Sequence, residues 1–318
     1  MRRFNPSQLL LRACGLAVCV TLAVACGGGS GGDGSNPAAF GLRDRASVTP
    51  TPAVAAANSG SGEFAADFLR RTNFTSLIVE IDYPAGRPPS SSVVQLLEQR
   101  LTERCDKPGG VNVFVDDAIP LAEFPSVLAV ADLDDLEQAH RDLYADVTTQ
   151  TAVMYLLYVK GASNLDGPTT HVVGLSYHGS SIAYFVDAGD QGNDLLVTTA
   201  EVEGSTLVHE TGHQLGLVNA GIPMVQPHED AAHGAHDLEP SCIMYWLINV
   251  PLVSPNLGDA DFAQFDPQCV SDLESAGGLG PLPARIATQR LGASSERMAV
   301  GDCGCCLDRL RRVAPARR

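Results

Sequence analysis

The segment His209-Glu210-Thr211-Gly212-His213-Gln214-Leu215-Gly216 constrains this chain more than any other. In an α-helix, residues four apart lie about one turn from each other, so His209 and His213 leave the same face. Two imidazole nitrogens on one face grip a single Zn²⁺. Glu210, beside the first histidine, lies within reach of a water held in the same site, where a carboxylate serves as general base. The segment therefore calls for a helix turned toward a pocket. The five-residue pattern also arises in helices that hold no metal, so the surrounding chain has to decide.

The ends of the chain differ from its middle. Arg2 and Arg3 open it, and the apolar run from Ala13 to Ala25 is too short to span a bilayer but has the form of a secretory signal. The run closes as Ala23-Val24-Ala25-Cys26 before Gly27-Gly28-Gly29-Ser30. Small residues before a cysteine, then a flexible tract, resemble a bacterial lipoprotein cleavage site. There the cysteine, here Cys26, becomes the lipidated N-terminus. Leu22 stands one position earlier than the usual leucine of such sites, and Ala23 takes its slot. The resemblance implies export and a lipid anchor in a bacterial membrane, the outer one given Gly27 after the cysteine. An ordinary cleaved signal is the alternative.

Export implies an oxidising compartment. Beyond Cys26 the chain keeps Cys105, Cys242, Cys269, Cys303, Cys305 and Cys306, an even number whose pairing the sequence does not fix. The formal net charge of −16 is unevenly placed. Of the 21 Lys and Arg, three lie in residues 1–26 and eight in residues 279–318; of the 37 Asp and Glu, none and three lie there. Residues 27–278 thus carry ten basic and 34 acidic residues, a net charge of −24. That body is unsuited to nucleic acid. It suits cationic substrates or metal ions, or simply solubility.

Residues 27–62, rich in Gly, Ser, Pro and Ala, read as a tether. Residues 63–278 read as the folded domain, and the Arg-rich stretch 279–318 as disordered. Within the domain, Leu77–Tyr83, Val111–Val115, Val153–Val159, His171–Tyr177 and Ser181–Val186 have the composition of strands. Ser90–Arg104, Leu133–Tyr144, Glu201–Leu215 and Pro267–Ala276 have helical spacing. Strands and helices alternate before the histidine motif, and irregular sequence dominates after it. The expected fold is α/β (α+β): a mixed twisted sheet with the motif helix in an upper lobe, and an irregular lower lobe.

A metal site that does chemistry keeps three protein ligands and one open position. Gly216, three residues after His213, can adopt positive φ, end the helix and turn the chain back. The pattern His-Glu-x-x-His-x-x-Gly resembles the metzincin metalloproteases. In that family the third ligand usually follows the glycine by three residues; here that position is Asn219, a neutral and poor zinc ligand. The loop from His228 to His236, with His228, His233, His236, Glu229 and Asp230, offers better donors. His236, Cys242 and Met244 are similar to the archaemetzincin frame of third histidine, cysteine and Met-turn, with Asp237 where that frame has its first cysteine. This resemblance implies Zn²⁺ held by His209, His213 and His236, with Asn219 and His228 as rival third ligands, Glu210 as catalytic base and Met244 beneath the metal. It implies a zinc metallopeptidase, an endopeptidase, acting on peptide or protein substrates. Tyr245 is a candidate for steadying a reaction oxyanion. Cys242, without a cysteine at Asp237, points to a disulfide with Cys269 or Cys105 rather than a structural zinc site.

The strands Gly174–Tyr177 and Ile182–Phe185 stand where metzincins carry an edge strand that binds peptide by strand addition. Three other readings stay open. Asn219 motivates a cell-surface binding module on the same scaffold without turnover. The His228–His236 loop offers a second metal site of its own. Glu229 or Glu239 as third ligand would place the chain among enzymes with a glutamate ligand.

Overall fold

The computed structural model describes residues 60–168, 170–191, 198–246 and 263–280, and the backbone of Thr21–Cys26. Most of the expected tether, and the tail beyond residue 280 with Cys303, Cys305 and Cys306, lie outside the described residues.

In chain order the elements are β1 (Thr21–Cys26), α1 (Ala65–Leu69), β2 (Ser76–Pro84), α2 (Ser91–Arg104), β3 (Gly110–Ile119), β4 (Val127–Leu128), α3 (Val130–His140), β5 (Thr151–Val159), β6 (Ala162–Ser163), β7 (Thr170–His178), β8 (Ser181–Phe185), α4 (Val186–Gln191), α5 (Thr199–Gln214) and α6 (Pro267–Ser275). Six strands form one sheet in the order β1-β7-β8-β5-β2-β3; β4 and β6 pair separately. β5 runs parallel to β2 and β8, and β2 parallel to β3. β7 alone is antiparallel to its neighbour β8. The result is the mixed α/β sheet expected from the alternation of elements.

Burial follows position in the sheet. β5, flanked on both sides, is buried from Ala152 to Val159, which explains its unbroken apolar run Ala152-Val153-Met154-Tyr155-Leu156-Leu157. The hydrophobic layer continues through Leu77, Val79 and Ile81 of β2 to Val93, Leu97 and Leu101 of α2. α5 packs on β7, β8 and α2, so the motif helix lies against the sheet and not at the surface.

Two boundaries differ from expectation for identifiable reasons. The helix expected over Leu133–Tyr144 ends at His140. Buried Glu80 of β2 accepts the amides of Asp142 and Leu143 at 2.7 and 2.8 Å, drawing that segment out of the helix and onto the sheet. Val186, expected to end a strand, instead opens α4. β7 also differs in its surroundings. It pairs antiparallel with β8 on one side, and Thr21–Cys26 lies along its outer edge in parallel register. Unpaired edge amides and carbonyls are a template for any extended segment, and here the apolar run before Cys26 takes the place.

Among the described residues between α5 and α6 the chain is irregular, as its composition implies. Among the described residues of this stretch the strand-like pairings are isolated bridges, Glu229 with Asp237 and Asp237 with Tyr245.

Candidate metal centre

α5 is an unusual helix. A surface helix buries one apolar stripe; here every residue from Glu201 to Gln214 is buried, including two histidines, three glutamates and a glutamine. Its start is well determined. Thr198 accepts the Glu201 amide, and the Glu201 carboxylate accepts the Thr198 amide at 2.7 Å, a reciprocal capping box. Its end is equally so. The Gly216 amide donates to the His213 carbonyl and the Leu217 amide to the Gly212 carbonyl, both at 3.0 Å, with Gly216 at φ +79°. That is a complete Schellman cap, which the sequence placed at Gly216.

Buried polar groups need partners, and most of α5's have them. Tyr158 donates to Glu203, Thr206 to the Val202 carbonyl, Ser176 to the Glu210 carbonyl, and the Gln214 amide to the His178 and Ser181 carbonyls. Gln214 Oε1 is an exception on α5, and so is the Glu210 carboxylate. Both carboxylate oxygens of Glu210 and Nε2 of His236 are buried without a hydrogen-bond partner.

Around that His236 nitrogen three imidazoles converge. The nitrogens that His209, His213 and His236 offer lie within 4.8 Å of one another. The ring centroids are 4.8, 5.2 and 5.1 Å apart. His209 Nδ1 donates to the Ile243 carbonyl at 2.6 Å, and His236 Nδ1 to the Gly234 and His233 carbonyls at 2.8 and 3.0 Å. A ring whose Nδ1–H is held by a carbonyl presents the lone pair of Nε2, the form a metal binds. His209 Nε2 faces His213 Nε2 at 3.1 Å. Burial, then the nearby His236, pushes the His209 pKa down to about 3. Burial lowers His213 and His236 as well, so all three rings are neutral at pH 7. Burial also drives the Glu210 carboxyl up to about 8, with Ser176 opposing in part.

Three neutral donors beside an unpartnered carboxyl fit a tetrahedral Zn²⁺ with one open position and a base beside it. Met244 is fully buried against the motif helix. A Cβ on Gly212, inside the motif, would stand 2.2 Å from Met244 Sδ, so the glycine is what lets the methionine close against the helix.

The rivals for third place go elsewhere. Asn219 is exposed, at φ +67°, with its amide 3.5 Å from Glu229. His228 is buried between two carboxylates, Nδ1 at 2.7 Å from Asp237 and Nε2 at 2.8 Å from Asp272. Burial lowers its pKa, but Asp272 and Asp237 together outweigh that and raise it. His233 pairs with Asp230 and stacks on Trp246 at 4.0 Å between centroids. The three histidines of the loop therefore do not form one second metal site, because each faces a different partner. Glu229 and Glu239 accept backbone amides of their own loop and offer no third ligand. Tyr245 is half-buried, its ring 6.0 Å from that of Trp246.

Sequence reasoning missed the groups that hold this centre. Gly174 of β7 leaves room for Glu210: a Cβ there would stand 2.7 Å from its Cγ and Oε1. Ser176, Gln214 and the Ile243 carbonyl were likewise unreadable, being brought close only by the fold. A second cluster, His228, Asp237, Asp266 and Cys269, also gathers potential metal ligands behind the His236 loop.

No family model and no curated protein matches the chain. Among solved structures it is similar to the archaemetzincin of Methanopyrus kandleri, with 18% identity and a TM-score of 0.40 over 64% of this chain and 96% of that one. It is also similar to a zinc-dependent peptidase from Methanocorpusculum labreanum, with 18% identity and a TM-score of 0.35 over 61% of this chain and 99% of that one. At that distance, what the pocket does rests on its own residues.

Proposed function

We propose that the protein is a zinc-dependent peptidase of the metzincin type, an endopeptidase exported and tethered to a bacterial membrane through Cys26. One observation carries the enzymatic reading: three imidazoles meet at the motif helix that carries Glu210, whose two oxygens are buried without a partner. A buried carboxylate left without partners costs several kcal/mol unless a ligand completes the site. His209, His213 and His236 would hold Zn²⁺. Bound there, the ion supplies Lewis-acid polarisation of a scissile carbonyl and of the attacking water. Glu210 takes the proton of that water on a carboxylate oxygen and hands it to the leaving amine.

The N-terminal segment fits the same reading. Cleavage before Cys26 removes Thr21–Ala25, five of the six residues along β7. The freed edge would accept a substrate strand beside Glu210.

The test is Glu210→Ala in the full chain, assayed for zinc content and for hydrolysis of a fluorogenic peptide mixture. The variant keeps about one zinc per chain and loses turnover. A variant as fast as the parent rules the mechanism out. The alternative of a scaffold without turnover rested on Asn219, which stands outside the cluster, so no observation favours it.

A further inference from the structure

We infer that Cys242 and Cys269 close a disulfide that clamps the Cys242–Tyr245 turn onto α6 and so fixes the groups supporting the metal cluster from below. The two sulfurs lie 3.7 Å apart, and both side chains are buried, at 3% and 0% exposure. A disulfide needs about 2.0 Å between sulfurs, so the bond forms only when the two side chains move toward each other. All three cysteines of the described residues, Cys105, Cys242 and Cys269, are buried free thiols in the structure, and Cys105 stands apart at the end of α2.

The turn that Cys242 begins is tied to the centre at each residue. The Met244 amide and the Asp266 amide approach Cys242 Sγ at 3.4 and 3.5 Å. The Ile243 carbonyl, one residue on, orients His209, and Met244 itself lies under the helix. Cys269 sits in the first turn of α6, its amide held by Asp266. A covalent link between these points holds the His209 acceptor and the buried methionine in one position.

The competing occupant of this place is a metal ion on His228, Asp237, Asp266 and Cys269. The donors argue against it, because they are already engaged. Both His228 nitrogens are already taken up by carboxylates, Nδ1 by Asp237 and Nε2 by Asp272. Asp237 also accepts the Glu239 amide, and Asp266 caps α6. None of these atoms is among the buried groups without a partner, in contrast to Glu210 and His236.

The oxidant is a small-molecule or protein disulfide. One cysteine thiolate attacks it and expels a thiolate, giving a mixed disulfide; the second cysteine attacks the first and releases the other half as a thiol. Two cysteine thiols lose two protons and two electrons, and the oxidant is reduced to two thiols. Burial requires this to happen before α6 docks, and afterwards shields the bond from reductants.

The consequence for zinc rests on the metal-site reading above, whereas the linkage itself does not. The full chain is unfolded, reduced and refolded with glutathione disulfide, then mapped by mass spectrometry of unreduced peptides. A peptide pair joined through Cys242 and Cys269 is expected, unchanged in Cys105→Ser. Alkylation of both cysteines after unfolding the oxidised protein overturns the inference, whether or not the protein binds zinc or cleaves peptides. Transfer of zinc to a chromogenic chelator is then timed for the oxidised and reduced wild type, the oxidised form releasing it roughly 10-fold more slowly or better. Equal release rates overturn the clamp. A second zinc equivalent in the wild type, lost in Cys269→Ser, overturns the disulfide in favour of a metal.

Discussion

Replacing Gly174 by Ala adds one methyl group between β7 and α5. The added carbon would stand 2.5 Å from Thr206 Cγ2 and 2.7 Å from both Cγ and Oε1 of Glu210. Carbon atoms pack at about 3.5–4.0 Å, so roughly 1 Å must be found. Thr206 is β-branched and its hydroxyl is tied to the Val202 carbonyl at 2.8 Å, so it yields little. The Glu210 backbone is held by Ser176 at 2.9 Å, which leaves its carboxylate as the movable part. Gly174 lies outside the positive-φ region, so the backbone accepts alanine. A Gly→Ala change then stabilises by about 0.4–1 kcal/mol through the unfolded chain, while overpacking costs about 1–3 kcal/mol. The clash wins, and the melting temperature falls by a few degrees. A base displaced by about 1 Å costs on the order of 10²-fold in rate. Gly174→Ala is therefore expected to keep its zinc, held by histidines, and to lose about 10²-fold in kcat with a small change in KM. Zinc by elemental analysis, a thermal melt and steady-state peptide hydrolysis read the three quantities. Full kcat with an unchanged melting temperature refutes the packing argument; loss of zinc refutes the claim that the methyl acts on Glu210.

Other outcomes follow from the same geometry. His236→Ala should lose zinc on dialysis, whereas Asn219→Ala should retain it; the reverse pattern would return the third ligand to Asn219. His228→Gln leaves Asp237 and Asp272 without their shared cation and should destabilise by about 3–5 kcal/mol, read by denaturant unfolding; a loss under 1 kcal/mol would dismiss the buried clamp. Because the His228 pKa is raised in the fold, its contribution is complete below about pH 6.5 and is lost as pH rises through the folded value. Melting curves of the metal-free wild type should therefore lose stability as pH rises above about 6.5, and His228→Gln should lack that component.

Several features were legible before any coordinates. The four-residue spacing of His209 and His213 makes sense only on a helix, and Gly216 supplies the positive φ that ends it. The apolar run of β5 marked a strand buried on both faces. The order of strands and helices gave a mixed sheet, because periodicities of 2 and 3.6 residues are local properties. Where expectation failed, a distant residue intervened. Glu80, some sixty positions upstream, ends α3 by taking two amides. Val218 and Asn219 just after the motif helix, and Ala235 in the His228–His236 loop, turn the chain in left-handed conformation, where a side chain carries no signal such as glycine's.

The sequence by itself determined the helix, its two histidines, its base and its terminating glycine, since one turn of helix brings them together without help from the rest of the chain. It narrowed the third donor to three candidates and the partner of Cys242 to two. The tertiary structure alone turned His236 toward His209, buried His228 between two aspartates, and set Cys242 against Cys269. It also brought Gly174 against Glu210 and left that carboxylate without a partner. The physical reason is range: a helix repeats within four residues, whereas these contacts join residues from 9 to 44 positions apart, and only packing decides which of them meet.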